Sequence, residues 1–367
     1  MTTGTFRKLI AVSAMVILAA PFAHGLESYP IKLETREDNV KCFVCHDRPE
    51  MKERLADGKL RSYFVDPDVF SHSTHADQTC TACHRDIKQI PHEPGRKVVN
   101  CTGCHYIDNI YGAPTAEADV ERYEKYRKSV HKKALDEGNP DAPNCYDCHG
   151  THDIASPSRD DSNINRKNIP KTCGRCHLDE YTKYKTSVHG KALDGGNREA
   201  AVCIDCHGEH GTEAVHERGS SVNAATLPET CAQCHGEEKL MSRFGIDTAQ
   251  YATYRESYHG KANRFGVQVV ANCASCHGYH DVLPAADPDS SINPKKLPET
   301  CGKCHRGANI NYTKGRMHVE PSDPSSGIIY WVALAFKILT FGTIAALVAH
   351  ILLDLLRRIL NRGKHGH

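Results

Sequence analysis

All 18 cysteines of this chain fall in one recurring unit, Cys-x-x-Cys-His. The units are Cys42-Cys45-His46, Cys80-Cys83-His84, Cys101-Cys104-His105, Cys145-Cys148-His149, Cys173-Cys176-His177, Cys203-Cys206-His207, Cys231-Cys234-His235, Cys273-Cys276-His277 and Cys301-Cys304-His305. In such a unit two thiols add across the two vinyl groups of one porphyrin, and the adjacent imidazole is delivered to the iron as its proximal ligand. A disulfide framework does not need histidine after every second cysteine, a thioredoxin-like centre needs one unit rather than nine, and zinc ribbons do not demand the histidine at each knuckle. The cofactors expected are therefore nine covalently attached c-type haems, and the chain must fold around them.

Composition agrees. Among 367 residues only 7% are aromatic, with one tryptophan, while histidines number 24. A hydrocarbon core for this length is missing, so the porphyrins supply most of the buried apolar surface and the chain without them is expected to be largely unfolded. The fold class expected is mainly α with extensive loops, organised around haems and with little β. The polypeptide carries a formal charge of only +1, but two propionates per haem make the loaded protein acidic.

Three internal repeats follow one another: "KYRKSVHKKALDEGNPDAPNCYDCHGTHDI" from Lys125, "KYKTSVHGKALDGGNREAAVCIDCHGEHGT" from Lys183 and "TYRESYHGKANRFGVQVVANCASCHGYHDV" from Thr253. Each continues to a second motif. His131, His189 and His259 lie 14 residues before the first cysteine of their repeat, and His152, His210 and His280 lie 21 residues before the first cysteine of its second motif. Two attachment sites with two spare imidazoles is the stoichiometry of bis-histidine ligation. The expected pairing gives His131, His189 and His259 to the first haem of each repeat and His152, His210 and His280 to the second. The charged stretch before His131 reads as a helix ending at Gly138, and the Pro-, Gly-, Asn- and Asp-rich remainder reads as loops.

The first third differs. "VFSHSTHADQTCTACH", Val69 to His84, resembles the class III cytochromes c, small tetrahaem proteins in which a Phe-x-His-x-x-His segment precedes the first attachment site. The resemblance covers roughly residues 69–105 and implies that His72 and His75 are distal ligands of two different haems. His92 is the third spare histidine beside the three motifs of this region. His216 and His318 are left over; His216 is expected to be a solvated loop residue, and His318, just outside the apolar helix, is expected to be linker, with contact to a quinone site or a partner haem as the alternative.

Residues 1–25 read as a signal peptide, with Arg7 and Lys8 before an apolar run and a small-x-small site ending at Gly25. Residues 328–353 read as a transmembrane helix, interrupted by Lys337 and His350; Tyr330 and Trp331 mark its outer interface and the basic tail 354–367 stays cytoplasmic. Between them the expected organisation is a trihaem region over 26–115, dihaem repeats over 116–177, 178–235 and 236–310, and a linker over 311–327. The haem domain is thus expected on the periplasmic side of the cytoplasmic membrane.

Beyond the leader only Met51, Met241 and Met317 remain as thioether ligands, so most haems are expected to be bis-histidine and coordinatively saturated. Saturated irons pass electrons and bind no substrate, so no catalytic residue is expected. The reading is an electron carrier linking a quinol-oxidising integral-membrane partner to periplasmic or outer-membrane acceptors in anaerobic respiration, with no nucleic acid involved. The alternative is a reductase of nitrite, hydroxylamine or a sulfur oxyanion with one open haem, but the Cys-x-x-Cys-Lys motif common at such catalytic haems is absent.

Overall fold

The computed structural model describes residues 29–362 except 56, 57, 59, 93–98, 107–115 and 316. The signal peptide expected over 1–25 lies outside the described residues. The chain forms two compact units, one from residues 1–67 and 76–100, the other from 68–75 and 101–367. The trihaem region expected over 26–115 is thus divided, its third motif belonging with the repeats.

In the first unit, strand β1 (Tyr29–Pro30) pairs antiparallel with β4 (Gln89–Ile90), and β2 (Lys52–Arg54) with β3 (Leu60–Ser62). These are the only ladders among the described residues. Helix α1 (Val40–His46) carries the first motif; the chain leaves this unit within α2 (Pro67–Ser71) and returns for α3 (Cys80–Cys83). Buried Asn39 ties the two motifs, donating to the Gln78 carbonyl at 3.0 Å and accepting from the Cys80 amide at 2.8 Å.

After residues 68–75 the second unit resumes with α4 (Thr102–His105) and then repeats one plan. A helix pair, α5 (Glu117–Lys128) with α6 (Val130–Asp136), is followed by a short motif helix, α7 (Cys145–His149), a polar loop, and α8 (Ile169–Cys173) leading into the second motif. The next copy runs α9 (Leu178–Thr186), α10 (Val188–Asp194), α11 (Cys203–His207) and α12 (Leu227–His235). The insertion after His235 folds as α13 (Glu238–Met241) and a 3₁₀ turn, before α14 (Ala249–Glu256), α15 (Tyr258–Arg264), α16 (Cys273–His277) and α17 (Leu297–Gly302). Helix α18 (Ile328–Arg362) closes the chain.

The same few side chains shape each copy. Ser129, Ser187 and Ser257 break the helix pair in extended backbone and cap the second helix through their hydroxyls. Tyr126, Tyr184 and Tyr254 donate to the carbonyls of Pro143, Ala201 and Ala271, pinning the pair beside the first motif. The loops are held by polar anchors: Asn165, Asn223 and Asn293 donate to backbone carbonyls eight residues upstream, and Ser162, Ser220 and Ser290 are buried. Buried polar groups must be hydrogen-bonded, and these tethers do so in place of an apolar core. The apolar core itself is small, a cluster of Ile169, Leu193, Ala200 and Val202.

Helix α18 is one helix long and apolar enough to cross a membrane, over Ile328–Leu360 with mean hydropathy 2.1. It continues past the expected end at residue 353, because Leu355, Leu356, Ile359 and Leu360 prolong its apolar surface and Asp354 pairs with Arg358 one turn on at 2.8 Å. Lys337 and His350 are exposed on it.

Candidate haem sites

The histidine that precedes the first motif of each repeat, His131, His189 or His259, sits at the second position of its helix, two residues after the capping serine. That fixes where it points, and what it faces is another imidazole. His131 lies 6.3 Å from His177 between ring centres, His189 6.2 Å from His235, and His259 6.0 Å from His305. The other set faces backward: His210 lies 5.9 Å from His149 and His280 lies 6.0 Å from His207. In the first third, His92 lies 6.0 Å from His46 and His75 lies 6.0 Å from His105.

The pairing expected from the sequence is therefore reversed. The histidine before the first motif of each repeat faces the second motif of that repeat, and His210 and His280, after the first motifs of the second and third repeats, face the first motif of the preceding repeat. The cause is local. Gly150, Gly208 and Gly278 follow the proximal histidines with φ of 91°, 75° and 85°, a region costly for any side chain, and the chain swings away from its own motif. The segment then joins its neighbour: the amides of Val130 and Val188 donate to the carbonyls of Thr212 and Val282, both at 2.9 Å. The Thr74 amide makes the equivalent bond to Ile154 at 2.8 Å.

A metal–imidazole bond is about 2 Å and the coordinating nitrogen sits about 1.1 Å from its ring centre, so two imidazoles trans on one metal have centres about 6.2 Å apart. The observed separations match. Their interplanar angles, by contrast, range from 8° for His46–His92 to 71° for His75–His105. A linear nitrogen–metal–nitrogen axis fixes the separation and leaves rotation about it free, whereas contact between rings ties angle and distance together. The residues thus fit haem iron held between paired histidines.

Second contacts orient several rings. His46 Nδ1 bonds the Tyr63 carbonyl at 2.8 Å and His105 Nδ1 meets Asp119 at 3.1 Å, leaving Nε2 for the metal. Burial and the facing imidazole hold His131, His189, His259, His149 and His207 below the usual imidazole pKa, so they stay neutral and able to ligate. His84 is lowered by burial, with His46 and His92 nearby. Among the other predicted residues, His152 meets the edge of Phe70 at 6.4 Å. His72 is exposed, its Nδ1 on the Asp68 carbonyl at 2.7 Å. His216 is exposed in its loop.

The attachment cysteines approach one another in sequence order. Cys42 neighbours Cys80, as Cys101 does Cys145, Cys173 does Cys203, and Cys231 does Cys273. Cys148 neighbours Cys173, Cys206 neighbours Cys231, and Cys276 neighbours Cys301, each pair close enough to push the first thiol up alongside burial. Within the second unit the attachment points therefore step without a gap from the third motif to the ninth.

Residues 49–177 match the class III cytochrome C family, a longer stretch than the segment whose motifs resemble it, and residues 191–240 match a doubled CXXCH motif family. The chain is 25% identical over 206 residues to a high-molecular-weight cytochrome c of Nitratidesulfovibrio vulgaris, covering 54% of this chain and 32% of that protein. It is 26% identical to the multiheme cytochrome MtrA of Shewanella baltica, over 54% of this chain and 53% of the relative. A third relative is the cytochrome c-type protein NrfB of Escherichia coli, 28% identical over 30% of this chain and 68% of its own. The chain thus spans a third to a half of the first two relatives. No solved structure matches. With these matches on top of the repeated motif and the imidazole pairs, the chain belongs to the multihaem c-type cytochromes. Its cofactor is covalently bound c-type haem.

Proposed function

We propose that the chain is a membrane-anchored periplasmic nonahaem cytochrome that carries electrons from a quinol-oxidising integral-membrane partner to periplasmic or outer-membrane acceptors. The haems supply reversible one-electron iron chemistry. The protein's part is to close both axial positions and to hold neighbouring porphyrins close. His92, His75, His210, His131, His280, His189 and His259 would be the distal ligands opposite His46, His105, His149, His177, His207, His235 and His305; His72 and His152, also expected as distal ligands, carry no assignment.

The observation that carries this reading is the set of facing imidazoles at one constant separation, joined to the unbroken succession of cysteines. Closed axial positions favour a carrier over a reductase. The anchor reading rests on α18, and the periplasmic side on the need to attach haem outside the cytoplasm together with the basic residues beyond Asp354.

A partner beside the membrane is supported by the third repeat. Tyr258, Phe265, Val267, Val269 and Tyr279 are exposed there, while the first repeat has Val130, Glu137, Asn139, Asp141 and Thr151 at the same positions. Haem packing common to the repeats does not require these apolar side chains, and exposed apolar patches mark interfaces.

The test uses native membranes containing the full-length chain. Adding a chemically reduced quinol analogue should reduce the haems, followed at their visible absorbance, and a chain ending before Ile328 should stay oxidised. Equal reduction of both would refute the quinol link.

A further inference from the structure

We propose that His318, in the segment just before the apolar helix, is the distal ligand of the haem attached at Cys273, Cys276 and His277. The inference rests on the bis-histidine reading above and extends it to a residue that no repeat or motif marks.

The geometry is that of the other pairs: the His318 ring centre is 6.3 Å from that of His277, with an interplanar angle of 42°. The order of the repeats calls for a ligand here. His149 is faced by His210 of the next repeat and His207 by His280 of the next. The third repeat has no successor, so His277 would lack a distal imidazole, and His318 takes that place from the linker.

The ring is also oriented as a ligand would be. His318 Nδ1 is 3.2 Å from Thr253 Oγ1, whose own proton is directed to the Ala249 carbonyl at 2.8 Å, and the backbone at Gln250 adds a second acceptor. A protonated Nδ1 leaves Nε2 as the metal-binding atom. Thr253 is half of this signal. The first two repeats have Lys125 and Lys183 where the third has threonine, and only in the third does a short hydroxyl meet a linker histidine.

His318 precedes Ile328, the first residue of α18, by ten residues. Fully extended, ten residues span at most about 35 Å. The ligand therefore ties the coordination of this haem to the membrane helix and makes it the haem tethered closest to the anchor.

The test compares oxidised full-length holoprotein with His318→Ala and His318→Met by electron paramagnetic resonance and redox titration. His318→Ala should add a high-spin ferric signal equal to one haem, abolished by added imidazole. His318→Met should keep the spectrum low-spin and raise the potential of one haem, since thioether ligation raises it; this variant decides if the alanine form fails to assemble. Spectra and potentials unchanged in both would overturn the assignment. A one-haem high-spin signal in the unmodified protein that His318→Ala leaves as it was would instead overturn the bis-histidine reading at that haem, and His280→Ala, acting at a pair outside the proposal, tests that reading separately.

Discussion

Replacing His210 by alanine separates the interlocked pairing from the alternative in which each histidine serves its own repeat. His210 is 5.9 Å from His149, so its loss should open the haem at Cys145 and Cys148, not the one at Cys231 and Cys234. The spectroscopic yield is one high-spin haem per chain. The energetic yield follows from the joint between repeats. A structural zinc site contributes about 10–16 kcal/mol through four ligands, or about 3 kcal/mol per ligand, and the adjoining Val130–Thr212 hydrogen bond adds about 1 kcal/mol. Loss of 3 kcal/mol lowers the melting temperature by about 4 °C for a chain of this size. The assignment is made by combining His210→Ala with Cys145→Ala and Cys148→Ala, or with Cys231→Ala and Cys234→Ala, haem loss in each being verified by mass. The high-spin signal should vanish in the first combination and persist in the second; the opposite result would refute the pairing.

Further outcomes test the scaffold and the anchor. Ser187→Ala removes the buried cap that accepts from the Gly190 amide at 3.1 Å and should cost about 1–2 kcal/mol in denaturant unfolding with unchanged haem spectra. Tyr184→Phe removes the bond to Ala201 and should cost about 1 kcal/mol, again without spectral change. Ending the chain before Ile328 should move the haem protein from the membrane to the soluble fraction on cell fractionation.

The attachment motif and the repeat were legible in the sequence because both are periodic: the motif recurs nine times and the spare histidines recur at fixed offsets. The helical setting of His131 was legible too, since a charged helix-forming stretch ends at Gly138. The direction of pairing was not. His210 stands three residues from His207, and only the positive φ of Gly208, with the bond from Val130 to Thr212, shows that the segment belongs to the preceding repeat. His318 was read as linker because it recurs nowhere; the change from lysine to Thr253 was its one trace. Helix α18 runs on past residue 353, where the membrane span was expected to end, and Asp354 pairs with Arg358 along it.

The central claim is that the irons are closed by paired histidines and so carry electrons without binding substrate. Electron paramagnetic resonance of the oxidised full-length protein, calibrated against its measured haem content, tests it most directly. A spectrum that integrates wholly to low-spin ferric haem is the predicted result. A high-spin signal amounting to one haem per chain, shifting when nitrite or hydroxylamine is added, would contradict it.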